Sequence, residues 1–126
     1  MSDLFPKRSE PTGTIYAYEL LKVENKKGQL KIGFTNRDVR TRIKEQLGTS
    51  GVLFNIVLEE SAMRSDGSSF KDHDVHKQLI KDKFINTEKE WFKCNIRDVI
   101  SAISKIRDGE MKDRDRIHYF KMRPEQ

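Results

Sequence analysis

Hydrophobic and polar positions alternate along two neighbouring stretches near the start of the chain, residues 14–23 and 29–35. Both are rich in β-branched and aromatic residues, and a polar loop closed by Gly28 separates them. Two such runs around a short polar loop are typical of a β-hairpin. The pattern therefore predicts that a sheet begins with this hairpin, and that its outer face carries Tyr16, Tyr18 and Lys31.

A helix is predicted directly after the hairpin, in the stretch NRDVRTRIKEQLG. Val39, Ile43 and Leu47 recur there at helical spacing. Asn36 can cap the start of this helix, and Gly48 can end it. The face opposite the apolar residues is basic.

Two further helices follow in the second half of the chain. One is predicted behind a cap at Ser69, and the other behind Asn95, which Asp98 follows at the spacing of a capping box. Each has apolar residues that recur at roughly helical intervals. In the first they are Phe70, Val75, Leu79, Ile80 and Phe84, and in the second Ile96, Val99, Ile100, Ile103 and Ile106.

Two more strands complete the pattern. The run VLFNIVLEES, residues 52–61, is apolar and β-branched enough for a central strand, and EWFKCN, residues 90–95, is a short one. Trp91 and Phe92 in the short strand are expected in the core. The order ββαβαβα predicts an α+β fold of the α/β sandwich type, with a small mixed or antiparallel sheet that starts with the hairpin and is flanked by three helices.

Length and composition fit one domain. The 126 residues divide into a leader (1–11), a folded domain (12–108) and a tail (109–126). The single cysteine, Cys94, excludes an intramolecular disulfide, and no apolar run approaches the roughly 18 residues of a membrane span. The polar N-terminus lacks the apolar segment of a signal peptide, so the expected location is the cytoplasm, without a membrane partner.

The chain carries a small basic excess. Its 25 Lys and Arg residues against 20 Asp and Glu residues give a net charge of +5. A basic excess favours a polyanion such as DNA, because each neutralised phosphate releases counterions. In a chain that is 36% charged the excess is modest, so charge alone does not distinguish DNA binding from a solvated surface.

Five short motifs occur in a fixed order along the chain. They are TIY at Thr14–Tyr16, KIGFT at Lys31–Thr35, Arg42 followed by Ile43, His76 in the second predicted helix, and EWF at Glu90–Phe92. Together they resemble the GIY-YIG nuclease superfamily, most closely its divergent phage-related branch with KIG in place of YIG. The resemblance implies a metal-dependent endonuclease that cuts one DNA strand per site and leaves a 5′-phosphate and a 3′-hydroxyl. A degenerate member that only binds DNA or a protein is the alternative.

The hairpin supplies the candidate catalytic groups. Alternation puts Tyr16 and Tyr18 on one face of the first strand, and Lys31 and Gly33 on one face of the second. Hydrolysis of a phosphodiester needs a base for the water and positive charge on the phosphoryl oxygens. A phenol with a pKa of about 10 needs neighbouring cations to act as that base, and Lys31 and Arg42 are the candidates. Gly33, without a Cβ, would let the DNA backbone approach closely.

Arg40 and Arg42 lie about 200° apart around the predicted helix, so only one of them can face the site. The resemblance favours Arg42 as the catalytic arginine, because the family's arginine precedes an apolar residue. Arg40 and Lys44 are candidates for DNA contacts, and a solvated basic face is the alternative.

The carboxylate for Mg²⁺ or Mn²⁺ has three candidates. The resemblance places it about one turn before His76, at Asp72, where the family has a glutamate. Asp72 also fits a capping box that begins at Ser69, so Asp74 and Glu90 stay open as alternatives. His76 is either a group that orients a phosphate or assists the base, or an ordinary surface histidine.

The last eight residues, YFKMRPEQ, resemble the lead-in of superfamily 2 helicases of the restriction type, in which an Arg-Pro-x-Gln stretch opens the motor domain. The resemblance implies that residues 109–126 hold a linker and the start of a helicase domain. Base specificity and oligomeric state are left open by the sequence.

Overall fold

The computed structural model describes residues 13–108, which form one antiparallel sheet with three helices packed on it. The strands are β1 (Thr14–Leu21), β2 (Gln29–Thr35), β3 (Leu53–Ser61), β4 (Ile85–Glu88) and β5 (Trp91–Lys93). They lie in the order β3-β1-β2-β5-β4. The helices are α1 (Val39–Leu47), α2 (Asp72–Lys81) and α3 (residues 96–108). The predicted α+β fold is confirmed. No helix within the described range is long and apolar enough to cross a bilayer.

The hairpin of β1 and β2 forms as predicted, with antiparallel register. Tyr16 stands opposite Gly33, and Tyr18 stands opposite Lys31. Residues directly opposite each other in an antiparallel pair share a face of the sheet. The convergence of the two tyrosines with Lys31 and Gly33 therefore follows from the register.

Each face of the sheet has its own core. The larger core lies under α2 and α3 and joins Ile15, Ile32 and Phe92 to the apolar faces of those helices. The smaller core lies under α1. It consists of Tyr16, Tyr18, Val39, Ile43 and Trp91.

The prediction that Tyr16 and Tyr18 lie on an outer face of the hairpin is wrong. Their side chains are 0% and 1% exposed, because Val39 and Ile43 of α1 pack over that side of the sheet. Trp91 and Phe92 are buried in the core, as predicted.

One prediction about the later strands is wrong, and one strand was missed. β3 is an edge strand, not a central one, and Leu53 at its start is 56% exposed. A run of β-branched residues indicates that a strand is partly buried, but it does not indicate whether the strand has one neighbouring strand or two. β4 was not predicted at all, since all four of its residues are exposed and it carries no hydrophobic alternation.

The start of α1 differs from the prediction, and its end agrees with it. Asp38, not Asn36, is the N-cap, and its Oδ2 accepts from the Thr41 backbone N–H at 2.9 Å. Gly48 ends the helix with φ +58°, and its N–H donates to the Lys44 carbonyl at 2.9 Å. Asp38 can cap this helix because it lies three residues before Thr41, whose N–H has no acceptor inside the helix.

The start of α2 is also shifted from the prediction. Its N-cap is Lys71, two residues after Ser69, and the Asp74 carboxylate accepts from the Lys71 backbone N–H at 2.9 Å. The capping role that the sequence suggested for Asp72 therefore belongs to Asp74. Ile80, which the periodicity had grouped with the apolar residues of this helix, is 53% exposed.

The start of α3 is capped as predicted. Asn95 Oδ1 accepts from the Asp98 N–H at 3.1 Å, and Asp98 Oδ2 accepts from the Asn95 N–H at 2.9 Å. Ile100, expected on the buried side, is 46% exposed. We expect Asn95→Ala to lower the free energy of unfolding by about 1 kcal/mol, because one N–H of the first turn loses its acceptor.

Urea unfolding of the full chain measures this loss. Asn55→Ala is the matched control, since Asn55 also uses its side chain in one hydrogen bond, to Glu19 on the exposed surface of β3. Equal losses in the two variants would contradict a capping role for Asn95.

Candidate active site

The two tyrosines of β1 lie side by side beneath α1. Their rings stack with centroids 6.2 Å apart and an angle of 14° between the ring planes. Tyr18 also meets Trp91 and Phe54 edge to face, at 5.9 and 6.0 Å between centroids. The rings are therefore held from several sides, and the hydroxyl groups have defined positions.

Gly33 provides the space in which the Tyr16 ring lies. A Cβ on Gly33 would overlap both Cζ and the hydroxyl oxygen of Tyr16. The backbone of Gly33 is not in the left-handed region, so the glycine is required for space and not for conformation. The sequence predicted that Gly33 would let the DNA backbone approach closely. In the structure, the ring of Tyr16 occupies the space that a side chain at this position would fill.

We expect Gly33→Ala to lower the free energy of unfolding by about 1–3 kcal/mol, the usual cost of overpacking a core. Chemical denaturation measures it. The double variant with Tyr16→Ala removes the ring that the new methyl group meets, so the two losses should be less than additive. Additive losses would show that the Tyr16 ring is not what the methyl group encounters.

The Tyr16 hydroxyl is buried and makes no hydrogen bond of good geometry within residues 13–108, although the side chains of Gln46 and Arg42 lie close enough to interact with it. Burial raises the pKa of Tyr16 above its usual value, and the nearby Gln46 and Arg42 oppose this rise without overcoming it. The expectation that neighbouring cations would lower the pKa of this phenol is therefore wrong in its net direction. At neutral pH Tyr16 is a protonated phenol that can donate a hydrogen bond.

The Tyr18 hydroxyl, in contrast, has a partner. It donates to Gln46 Oε1 at 3.2 Å. The pKa of Tyr18 is raised, first by burial and then by the adjacent Tyr16 and Glu90. Of the two phenols, Tyr18 makes the better-defined hydrogen bond.

Glu90 brings a carboxylate to this face. Its Oε1 lies 3.1 Å from Lys31 Nζ, and its negative charge raises the pKa values of both Tyr16 and Tyr18. The Lys31 side chain is 15% exposed and that of Glu90 is 37% exposed, so the pair lies at the rim of the buried tyrosines. The positive charge of Lys31 is thus already compensated by a neighbouring carboxylate.

Arg42 and Arg40 point in different directions from α1. The guanidinium of Arg42 lowers the pKa values of both tyrosines, so it faces them, and it lies 3.6 Å from Glu45 Oε1. Arg40 lies over the ring of Phe54, 5.2 Å from its centroid. Of the two arginines, Arg42 is the one placed at the tyrosines.

The other candidates from the sequence belong to α2, which packs on the opposite face. His76 stacks on Phe92 with centroids 5.3 Å apart, and its Nε2 lies 2.9 Å from the Ile32 carbonyl oxygen. Asp72 is the first residue of this helix, which packs against the core on the other face of the sheet from the tyrosines. The structure therefore brings Glu90, and neither Asp72 nor His76, to the tyrosines.

The arrangement can be tested for a divalent ion. Within residues 13–108 no three His, Cys, Asp or Glu side chains converge as a metal cage. Mg²⁺ does not need such a cage, because it keeps several waters and often takes one or two carboxylates together with substrate phosphates. On this face of the sheet the partly exposed carboxylate of Glu90, which pairs with Lys31, is the group that a single-carboxylate site of this kind would use.

Two residues of α1 that sequence reasoning missed also shape the site. Gln46 accepts from Tyr18, and Glu45 pairs with Arg37 through two contacts of 3.0 and 2.6 Å. Gln46 follows Arg42 by four residues and therefore lies on the same helix face, a spacing that could have identified it. The negative charge of Glu45 therefore reduces the positive charge on the surface of α1.

Comparison with known families gives one match. The model of the T5orf172 domain matches residues 13–107, a range that spans all five strands and both arms of the tyrosine hairpin. No curated protein and no solved structure matches the chain.

Proposed function

The chain belongs to the T5orf172 domain family, and from that premise we propose that it is an endonuclease domain that hydrolyses DNA phosphodiester bonds with a divalent ion, in the manner of the GIY-YIG nucleases it resembles. Family membership is consistent with a nuclease-like or DNA-binding module. The observation that supports the finer proposal is the buried hydroxyl of Tyr16, which makes no hydrogen bond of good geometry and which the charges of Arg42 and Glu90 both influence.

The Tyr16 hydroxyl can donate a hydrogen bond to a water molecule or to the substrate. A buried hydroxyl without a partner costs about 1–3 kcal/mol, and the contacts of Gln46 and Arg42 with Tyr16 reduce that cost. A water molecule or a phosphate oxygen of the substrate would satisfy it. Because the phenol is protonated, Tyr16 orients the attacking water or a phosphate oxygen by a hydrogen bond; proton removal from the water falls to another group.

Arg42 and Glu90 supply the charges that such a reaction requires. Arg42 places a guanidinium, which is always charged, where the phosphoryl oxygens would lie. Glu90 is the residue that would hold Mg²⁺ or Mn²⁺. When bound, that ion would supply Lewis-acid stabilisation of the leaving oxygen.

The proposed partner is DNA, held by the exposed basic surface of α1 that includes Arg40 and Lys44. The proposed compartment is the cytoplasm. The Arg-Pro-x-Gln stretch at the C-terminus lies outside the described residues, so attachment to a helicase of the restriction type stays a prediction from the sequence.

Nicking of supercoiled plasmid tests the proposal. We expect the wild-type chain to nick with Mg²⁺ or Mn²⁺ and to stop when a chelator is added. Arg42→Ala should nick about 10²-fold more slowly, the cost of losing one group that stabilises transition-state charge. Arg97→Ala is the matched control and guards against a contaminating nuclease, because Arg97 is an exposed arginine of α3 on the opposite face of the sheet.

A binding module without catalysis is the second candidate. It is favoured by the ion pair of Lys31 with Glu90 and by the raised pKa values of both tyrosines. DNA binding that weakens steeply with salt, in a protein that nicks with no metal on any substrate, would select this candidate over the nuclease.

A further inference from the structure

Asn86 of β4 holds the turn that carries Glu90. Its Nδ2 donates to the Lys89 carbonyl at 2.8 Å and to the Trp91 carbonyl at 2.8 Å. An asparagine amide has two N–H donors, and both are used here. The two acceptors are the residues immediately before and after Glu90, so one side chain brackets it on both sides.

The turn requires such support because its backbone is unfavourable. Lys89 has φ +42°, in the left-handed region that side chains other than Gly, Asn and Asp seldom adopt. The pairing of β4 with β5 also shifts register between Asn86 and Glu88. A strained conformation persists only where surrounding contacts impose it, and the two hydrogen bonds from Asn86 are such contacts.

The same hairpin is tied to the rest of the sheet. Thr87 Oγ1 donates to Gln29 Oε1 at 2.6 Å, and Gln29 Nε2 donates to the Asn25 carbonyl at 2.9 Å. The Ile32 N–H of β2 donates to the Glu90 carbonyl at 3.1 Å. Asn86 therefore links Glu90 to a framework that is itself anchored on β2, the strand that carries Lys31 and Gly33.

We propose that Asn86 is a positioning residue that fixes Glu90 at the tyrosine face. The structural part of the proposal, that Asn86 fixes the turn at Glu90, rests on the hydrogen bonds alone. The catalytic part, that this turn matters for metal binding, rests on the proposed function. Asn86 is exposed, so its replacement leaves the two cores intact. The effect of removing its donors should be local to the turn.

Order parameters of the backbone amides test the structural part without any metal or DNA. In Asn86→Ser, those of Lys89 and Glu90 should fall from about 0.85 to below about 0.6, while those of α1 stay unchanged. Asn55→Ser is the matched control, because it also deletes one exposed asparagine amide. Asn86→Asp, which keeps the size and removes both donors, gives a second variant should the first fail to fold.

Nicking tests the catalytic part. In Asn86→Ser the Mg²⁺ concentration that gives half the maximal rate should rise about 10–100-fold, as is usual when a group that orients a metal ligand is removed. Unchanged order parameters at Lys89 and Glu90 would overturn the proposal whatever the activity. Lower order parameters with an unchanged Mg²⁺ requirement would overturn the link to the site. Lower order parameters in a protein whose wild type never nicks would leave the positioning intact and reject the nuclease function.

Discussion

Tyr16→Phe is expected to slow nicking by about 10²–10⁴-fold without loss of stability. The phenyl ring keeps its stacking on Tyr18 and its place over Gly33, and only the hydroxyl is lost. That hydroxyl makes no hydrogen bond of good geometry, so the free energy of unfolding should change little. The loss of rate is the usual contribution of one positioned group in proton transfer or water orientation.

Tyr18→Phe is the matched control, since the two phenols share one face and one strand. Tyr18 does hydrogen-bond, to Gln46, so this variant should lose about 0.5–1.5 kcal/mol of stability. Parallel measurement of the nicking rate and of urea unfolding separates the two hydroxyls. If Tyr16→Phe nicks like the wild type and Tyr18→Phe does not, Tyr18 takes over the role assigned to Tyr16.

Glu90→Gln is expected to reduce nicking by on the order of 10³-fold. A Lewis-acid ion supplies several kcal/mol of transition-state stabilisation, and each 1.4 kcal/mol is a tenfold change in rate. The amide retains the size of the side chain but removes the charge that holds the ion. Raising the Mn²⁺ concentration should restore part of the rate, because the defect lies in metal affinity.

Glu88→Gln is the control for this variant. Glu88 lies two residues away in the same hairpin and pairs with Lys26 at 3.4 Å, whereas Glu90 pairs with Lys31. Asp72→Asn should be tested beside it, since the family resemblance assigns the metal to Asp72. If Asp72→Asn loses activity and Glu90→Gln retains it, the carboxylate has been assigned to the wrong side of the sheet.

Elements with strong local signals were predicted correctly. The Asn95 and Asp98 capping pair and the Gly48 stop depend on residues at most a few positions apart, and the structure reproduces them. Predictions failed where two local signals competed. Asn36 and Asp38 are both good caps, and the nearby chain did not reveal which one would be used.

The candidate site was only partly predictable. Alternation along β1 and β2 brought the tyrosines together with Lys31, because strand periodicity decides which side chains share a face. The choice among Asp72, Asp74 and Glu90 depends on which face of the sheet each helix and turn joins. A helix or turn docks by its whole apolar surface, which no short motif encodes.

The sequence by itself determined the hairpin and the helical stretches, since these follow from periodicity and turn chemistry within a short length of chain. Only the tertiary structure decided that α1 covers the tyrosines. It also decided that Gly33 makes room for a ring and that Glu90 is the carboxylate beside them. The physical reason is that burial, and with it the raised pKa of Tyr16, arises from contacts between elements far apart along the chain.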